Sequence, residues 1–430
     1  MSQGQCNIGK KSGFLCKRSI KVGVFLGIRQ IKRASPWTSF LLILIMLFTF
    51  LNVVIVNGIL LGLVEGSSQT YKTNYSGDVL IKKPTNKLYI QRGELLSKEL
   101  SKLDKIEAFS TRYIYRTTII SDNENLNRKP YKKNEASALL TGIDPISENN
   151  VTNLSDLLVE GEYLEEEDRV FALVGSRLLY KYSSDLPEQD SLKNVEIGDR
   201  ISVKIADSLQ TFFVKGIVKS KIDGVGGRIY VPQYYLKNSK AEGLGKVGEI
   251  AIKIKKGFTP EEVKEDILGL GVDPENALVQ TWEESQGKFF KDISSTFDTL
   301  GNVIGFISII VSSITIFIMI FINALNRKKI IGVMKGIGTC GASIKISYIF
   351  QSFFYALVGN IIGLALLYLL IKPYITANPI DFPFSDGILS APLGNVLFRI
   401  TILLLVTILA SYLPARMIVK RNTLDSILGK

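Results

Sequence analysis

The 430 residues contain no histidine, which removes imidazole acid–base catalysis and histidine metal ligation. The three cysteines are Cys6, Cys16 and Cys340, so residues 65–299 contain none and that segment holds together without a disulfide. The densest acidic run, Glu165-Glu166-Glu167-Asp168, reads as a solvated turn rather than a metal site. No G-x-x-x-x-G-K-[ST] string occurs; the nearest, Gly243-Leu244-Gly245-Lys246-Val247, lacks the hydroxyl residue needed beside a phosphate-bound metal. NYS at Asn74, NVT at Asn150 and NLS at Asn153 are glycosylation-like strings of high chance frequency and carry no weight. Side-chain chemistry therefore points away from an enzyme, and the informative residues are cations and glycines.

These concentrate in NRKKIIGVMKGIGTCGASIKISYIF, residues 326–350. Positions 326–345 carry Arg327, Lys328, Lys329, Lys335 and Lys345, no acid, and four glycines. Apolar runs flank the stretch. Residues 39–64, 300–325 and 346–371 are each free of charge, and 26 residues of helix reach about 39 Å, enough to cross a hydrocarbon core. A fourth run, 400–415, attains spanning length with residues 393–399 added. The expected fold class is therefore an α-helical integral membrane protein. Its helices lie at 39–64, 300–325, 346–371 and 395–415, with a large α+β extracytoplasmic domain, 65–299, between the first and second.

Charge location fixes the expected orientation. Residues 1–38 hold eight basic residues and no acid, 326–345 hold five and none, and 416–430 hold four and one. Residues 65–299 hold 33 basic against 37 acidic residues, and 372–399 hold two of each. The excess behind the net charge of +12 thus falls in segments that four crossings place on one side, as the positive-inside rule requires. It implies a plasma-membrane protein with both termini cytoplasmic and no nucleic-acid partner. Cys6, Cys16 and Cys340 all fall on that cytoplasmic side. The first span is too long, and follows too basic a tail, for a cleaved signal peptide.

Within the tail 1–38, Phe14, Leu15, Ile20, Val24, Ile28 and Ile31 interleave with Lys and Arg as in an amphipathic helix lying on the inner leaflet, with Pro36 turning into the span and Trp37 at the interface. In 65–299, strand-like 77–83, helical 93–103 and strand-like 106–120 are echoed later by 248–254, a helix opening at Thr259-Pro260 with Glu262 at its third position, and 277–281. Two strand–helix–strand units would form one α+β layer. A β-rich insert is expected at about 136–235, where Ile201, Val203, Ile205, Phe212 and Val214 alternate. Phe289, Phe290, Ile293, Phe297, Leu300 and Ile304 recur at helical spacing, extending the second span outward as a stalk or packing on the outer domain's core. The remaining segments are the loop 326–345, the outer loop 372–394 and the tail 416–430.

Three cations, Arg327, Lys328 and Lys329, stop translocation; Ile330 to Met334 suffices for a short helix along the inner surface; Gly336, Gly338 and Gly341 permit the reversal into the third span. Gly301 with Gly305 and Gly359 with Gly363 are small-xxx-small pairs, suited either to a dimer seam or to packing within the chain. Asn52, Asn57, Gln351 and Asn360 interrupt the apolar runs and could bond between helices; no carboxylate in a span suggests ion coupling.

The order of residues in GVMKGIGTCGASIKISYIFQSFFYALVGNIIGLAL resembles the inner loop and following helix of FtsX/MacB-type ABC transporter permeases. Ile331, Gly332, Val333, Met334, Lys335, Ile337, Gly338, Ala342 and Ser343 carry the likeness. Thr339-Cys340-Gly341 is longer than the family's usual spacing, and Ile330 stands where the family often has an acid. LLVEGEYLEEEDRVFALVGSRLLYKY, VEIGDRISV and RIYVPQYYL are similar to the extracytoplasmic core domain of the same permeases. One helix before that domain and three after it extend the resemblance over nearly the whole chain.

The resemblance implies a permease subunit whose loop is a coupling helix, with Arg327, Lys328, Gly332, Lys335 and Gly338 seated on a separate ABC ATPase. ATP and Mg would be bound by that partner, and this chain would hold no cofactor of its own. A second permease copy or a related permease would complete eight spans in the bilayer. ATP hydrolysis would then move the outer domain to export or extract a lipid, lipoprotein, peptide or drug. The alternative is a non-transporting subunit that signals mechanically to a cell-wall hydrolase or sensor kinase. A membrane-anchored enzyme is the weakest reading, because 65–299 lacks both His and Cys.

Overall fold

The computed structural model describes residues 17–121, 134–183, 191–205, 208–237, 245–382, 386–387 and 389–420. Cys6, Cys16, Phe14 and Leu15, the opening of the Gly243–Lys246 string and most of the C-terminal tail lie outside them, as do the side chains of Phe289 and Phe290. The chain divides into a membrane unit (1–64, 294–381 and 386–430) and a second unit (65–293 and 382–385).

In the membrane unit, helix α1 (Lys17–Lys32) precedes α2 (Pro36–Tyr71), the first spanning helix. Among the described residues four helices are long and apolar enough to cross a membrane: Pro36–Ser76, Lys291–Asn326, Gly341–Ala377 and Leu393–Met417. Each is longer than the apolar run that announced it. An apolar run marks what can sit in hydrocarbon, whereas backbone hydrogen bonding carries a helix on until a cap or breaker stops it.

Helix α1 departs from a simple surface role. Its Gly23 and Gly27 abut Ile346 and Phe350 so closely that a β-carbon would come within 2.7 and 2.8 Å of those side chains. A small-xxx-small pair thus seats α1 on the third span, while Lys21, Arg29, Lys32 and Phe25 stay exposed. The hydrophobic residues of that basic segment were legible in sequence; the packing role of its glycines was not.

The second unit is built on a ten-stranded sheet. Strand β1 (Val79–Lys82) leads through α3 (Gly93–Leu100) to the long β2 (Ile106–Ser121) and β3 (Glu135–Ile143). After α4 (Pro145–Thr152) come β4 (Leu158–Gly161), β5 (Phe171–Gly175), β6 (Arg200–Ile205), β7 (Ser208–Val218) and β8 (Arg228–Pro232). The unit closes with β9 (Val247–Ile254), α5 (Pro260–Gly269) and β10 (Leu278–Thr281).

Strand order runs β10-β1-β9-β2-β3-β8-β5-β7-β4, with β6 bridging β2 and β7. The two strand–helix–strand units therefore interleave: β9 lies between β1 and β2, and β1 lies between β9 and β10, all antiparallel. This is a doubled split βαβ arrangement. The strands of 136–235 are hydrogen-bonded into the same sheet. Strand β2 is long enough to pair with β9 near its start, β6 near its end and β3 along its other edge.

Alternation places Val79, Ile81, Ile250 and Ile252 in one buried cluster and Leu80 and Ala251 in another, on opposite faces of the sheet. Helix α5 begins as its sequence predicts. Thr259 Oγ1 accepts from the Glu262 amide at 3.4 Å, while the Thr259 amide donates to Glu262 Oε2 at 3.2 Å.

The chain returns to the membrane unit through α6 (Gly287–Asn326), a continuous helix with Lys288, Lys291 and Asp292 near its start. A short helix, α7 (Lys328–Gly336), follows, then α8 (Gly341–Leu366), continued to Ala377 by a π-turn and a final helical turn, and α9 (Leu393–Lys420).

Candidate functional site

The cation-rich stretch forms a short helix flanked by two tight junctions. Arg327 leaves helical geometry at φ −104°, which separates α6 from α7. At the other end the Gly338 amide donates to the Lys335 carbonyl at 2.9 Å and the Thr339 amide to the Met334 carbonyl at 3.0 Å. Those two bonds make a Schellman closure with Gly338 at φ +93°, a conformation for which glycine is the suited residue. Nothing lies within 4 Å of a β-carbon built on Gly338, so backbone conformation alone selects glycine there.

One face of α7 is anchored. Ile331 is buried with Ala324, Ile344, Tyr348 and Ala415, and Gly332 is buried beside it. Burying one such isoleucine stabilises the seating by roughly 1.5–3 kcal/mol. The other face is apolar and open: Ile330, Val333 and Ile337 are 57%, 51% and 79% exposed. Their spacing of three and four residues aligns them along one stripe. Lys329 is exposed, whereas Arg327, Lys328 and Lys335 are half-buried, and partial burial pushes the Lys335 ammonium below the usual lysine range. Of the predicted coupling residues, Gly332 is thus a packing residue and Gly338 a turn residue, while Arg327 precedes the helix and Lys328 and Lys335 lie in its first and last turns.

Both glycine pairs meet α2 inside this chain. A β-carbon on Gly359 would lie 2.7 Å from Met46 Cβ and one on Gly363 would lie 2.3 Å from Phe50 Cδ1; on Gly305 it would meet Asn57 Nδ2 at 3.0 Å and on Gly301 Asn57 Oδ1 at 3.7 Å. The first span threads against both pairs. Among the polar residues of the spans, Gln351 Nε2 donates to the Tyr355 hydroxyl at 3.2 Å, and that hydroxyl bonds Ser39 of α2 at 3.1 Å. Asn57 Nδ2 instead donates to the Val53 carbonyl of its own helix at 3.1 Å.

Sequence reasoning missed a buried ionic cluster in the second unit. Arg112 on β2 forks onto Glu148 of α4, Nε to Oε2 at 3.0 Å and Nη2 to Oε1 at 2.7 Å, and reaches Glu249 of β9 at 3.3 Å. Arg228 on β8 donates to both oxygens of Glu249, at 3.2 and 3.1 Å. The Tyr75 ring contacts both guanidinium groups, 5.2 and 5.1 Å from its centroid, and its hydroxyl donates to Glu249 Oε1 at 2.8 Å.

Ser110 and Thr152 hydroxyls donate to the remaining Glu148 lone pairs at 2.7 and 2.8 Å. Burial alone would raise Glu249, but Arg228 and Arg112 hold it down at about 2; Glu148 is likewise lowered, with Arg112 outweighing burial. Tyr75 belongs to the π-turn Lys72–Ser76 that follows α2, so the cluster grips the first residues beyond that helix.

Among the described residues no group of three or more carboxylate or thiol side chains is arranged to hold a metal ion. Asp168 of the acidic run closes its turn by accepting from the Glu165 amide at 2.8 Å and pairs with Lys215 at 2.7 Å.

Residues 39–270 match the family described as MacB-like periplasmic core domain, and residues 302–423 match the FtsX-like permease C-terminal family. An uncharacterized ABC transporter permease of Methanocaldococcus jannaschii is 27% identical over 284 residues, 63% of this chain; the chain spans 65% of that relative's length. The periplasmic region of MacB from Actinobacillus actinomycetemcomitans aligns with 49% of this chain and 92% of its own length at 14% identity and a TM-score of 0.35. The extracellular domain of the noncanonic ABC-type transporter YknZ from Gram-positive bacteria aligns with 47% and 98% at 14% identity and a TM-score of 0.30. Similarity that low adds nothing to the family matches. With a MacB-like domain set between the first and second of four membrane helices, the chain belongs to the FtsX/MacB-type ABC transporter permeases.

Proposed function

We propose that this chain is the permease subunit of an ATP-driven machine in the plasma membrane, with both termini cytoplasmic and α7 seated on a separate ATPase subunit. In this reading the partner binds ATP and Mg, and this chain contributes no catalytic group. A second permease copy or a related permease completes the assembly. Closure of the ATPase pushes α7, and the long helices α2 and α6 carry the movement toward the extracytoplasmic domain, which exports or extracts a lipid, lipoprotein, peptide or drug.

The supporting observation is the open apolar stripe Ile330–Val333–Ile337 on a helix whose other face is anchored by Ile331. Exposed apolar side chains beside cations on a short, capped helix suit a protein partner rather than bare solvent. Replacing Val333 and Ile337 with Asp leaves the buried face untouched. Co-purification of the ATPase should then fall about tenfold or more, the scale of removing interface anchors. Full retention of the ATPase by that double variant would remove α7 from the interface.

A further inference from the structure

Arg399 is an ionisable residue inside the fourth spanning helix, Leu393–Met417. It is half-buried, and among the described residues no carboxylate pairs with it. A charge within a span lies, as a rule, beside a partner or a functional site. Arg399 lines a cavity of about 380 Å³ between α2, α6 and α9, together with the amides of Asn57, Asn302 and Asn395. The rest of the wall is apolar, Phe306 and Phe398 among it. Asn57 is itself buried and fixed by its bond to the Val53 carbonyl, and Gly305 opposite it has no side chain to fill the space.

The site thus offers one guanidinium, three amides and hydrocarbon walls. A guanidinium fork matches phosphate oxygens two at a time, and asparagine amides add neutral donors. The apolar wall and the position within a span favour an anion that arrives attached to hydrocarbon over a freely diffusing one. We propose that this cavity binds the phosphate headgroup of an anionic membrane lipid, with Arg399 as the charge partner. The inference does not depend on ATPase coupling.

The test uses the full chain reconstituted in nanodiscs of mixed phosphatidylglycerol and phosphatidylcholine, released into mild detergent and weighed intact. The unaltered chain should retain about one phosphatidylglycerol and prefer it about tenfold, the scale of a charge-assisted pair. Arg399→Gln should lower retention to the phosphatidylcholine level, Arg399→Lys should keep part of the preference, and Arg416→Gln, at the far end of the same helix, should keep all of it. Should Arg399→Gln fail to fold, Asn395→Leu retains the charge and should still weaken retention several-fold. Equal retention of the two lipids, an unaffected Arg399→Gln variant, or loss of bound lipid to excess inorganic phosphate would each overturn the proposal.

Discussion

Gly363 of the third span faces Phe50 of the first at a separation that leaves no room for a methyl group: a β-carbon there would stand 2.3 Å from the ring's Cδ1. Phe50 is fully buried, so the ring has little freedom to retreat. Gly363→Ala should therefore destabilise the folded monomer by about 1–3 kcal/mol, the range for overpacking. Thermal unfolding in detergent should show the loss at every protein concentration, and Phe50→Leu should recover part of it. A loss that disappeared on dilution would instead place Gly363 between two copies of the chain.

Arg112 gives a prediction of opposite kind, since its deletion leaves space but strands charge. Arg112→Met would leave the Glu148 carboxylate buried without its bidentate partner and weaken the pull on Glu249. Removing one member of a buried pair costs about 3–5 kcal/mol. Fluorescence of Trp282, half-buried directly after β10, should report unfolding of the second unit at a markedly lower denaturant concentration than in the unaltered chain. An unchanged midpoint would mean that the cluster contributes nothing to that unit.

The same carboxylates set an acid limit. Glu249 is held at about 2 and Glu148 is also depressed, so both bind protons more readily in the unfolded chain. The contribution of Glu249 is complete above the ordinary glutamate value near 4.5 and is lost as pH falls from there through about 2, and that of Glu148 is lost in the same direction. Glu249 should add a slope of up to about 1.4 kcal/mol per pH unit in that window, and Glu148 a slope of the same sign. Denaturation monitored between pH 2 and 5 checks this, and Glu249→Gln should flatten the curve. A curve flat below pH 4.5 in the unaltered chain would contradict the assignment.

The four spans were legible in the sequence because hydrocarbon imposes a strong rule: 26 uncharged residues in a row have few other uses. The strand–helix–strand repeat was legible because Thr259, Pro260 and Glu262 announce a helix locally. Arg112, Glu148, Arg228 and Glu249 were not, since four charges separated by up to 137 residues carry no local sign that β2, β8, β9 and α4 will bring them together. The glycine pairs lay between these cases. Their spacing predicted close helix contact, but the partner, α2, depends on how the helices pack. Arg399 was read only as part of a short span, because its cavity needs three helices.

Gly338 supplies the prediction closest to function. Its φ of +93° closes α7, yet no atom crowds its β-position, so substitutions there act through backbone conformation alone. Asparagine tolerates positive φ better than a β-branched residue does. Gly338→Val should therefore unwind the closure at a cost of about 1–2 kcal/mol, while Gly338→Asn should cost less. Because Ile337 precedes this residue and is the most exposed member of the apolar stripe, opening the turn displaces part of the proposed ATPase contact. ATPase recovered with the Val variant should drop roughly five- to thirtyfold, with Asn intermediate and the membrane-inserted yield unchanged. Equal recovery with Val, Asn and Gly would show that the turn does not govern how α7 is presented.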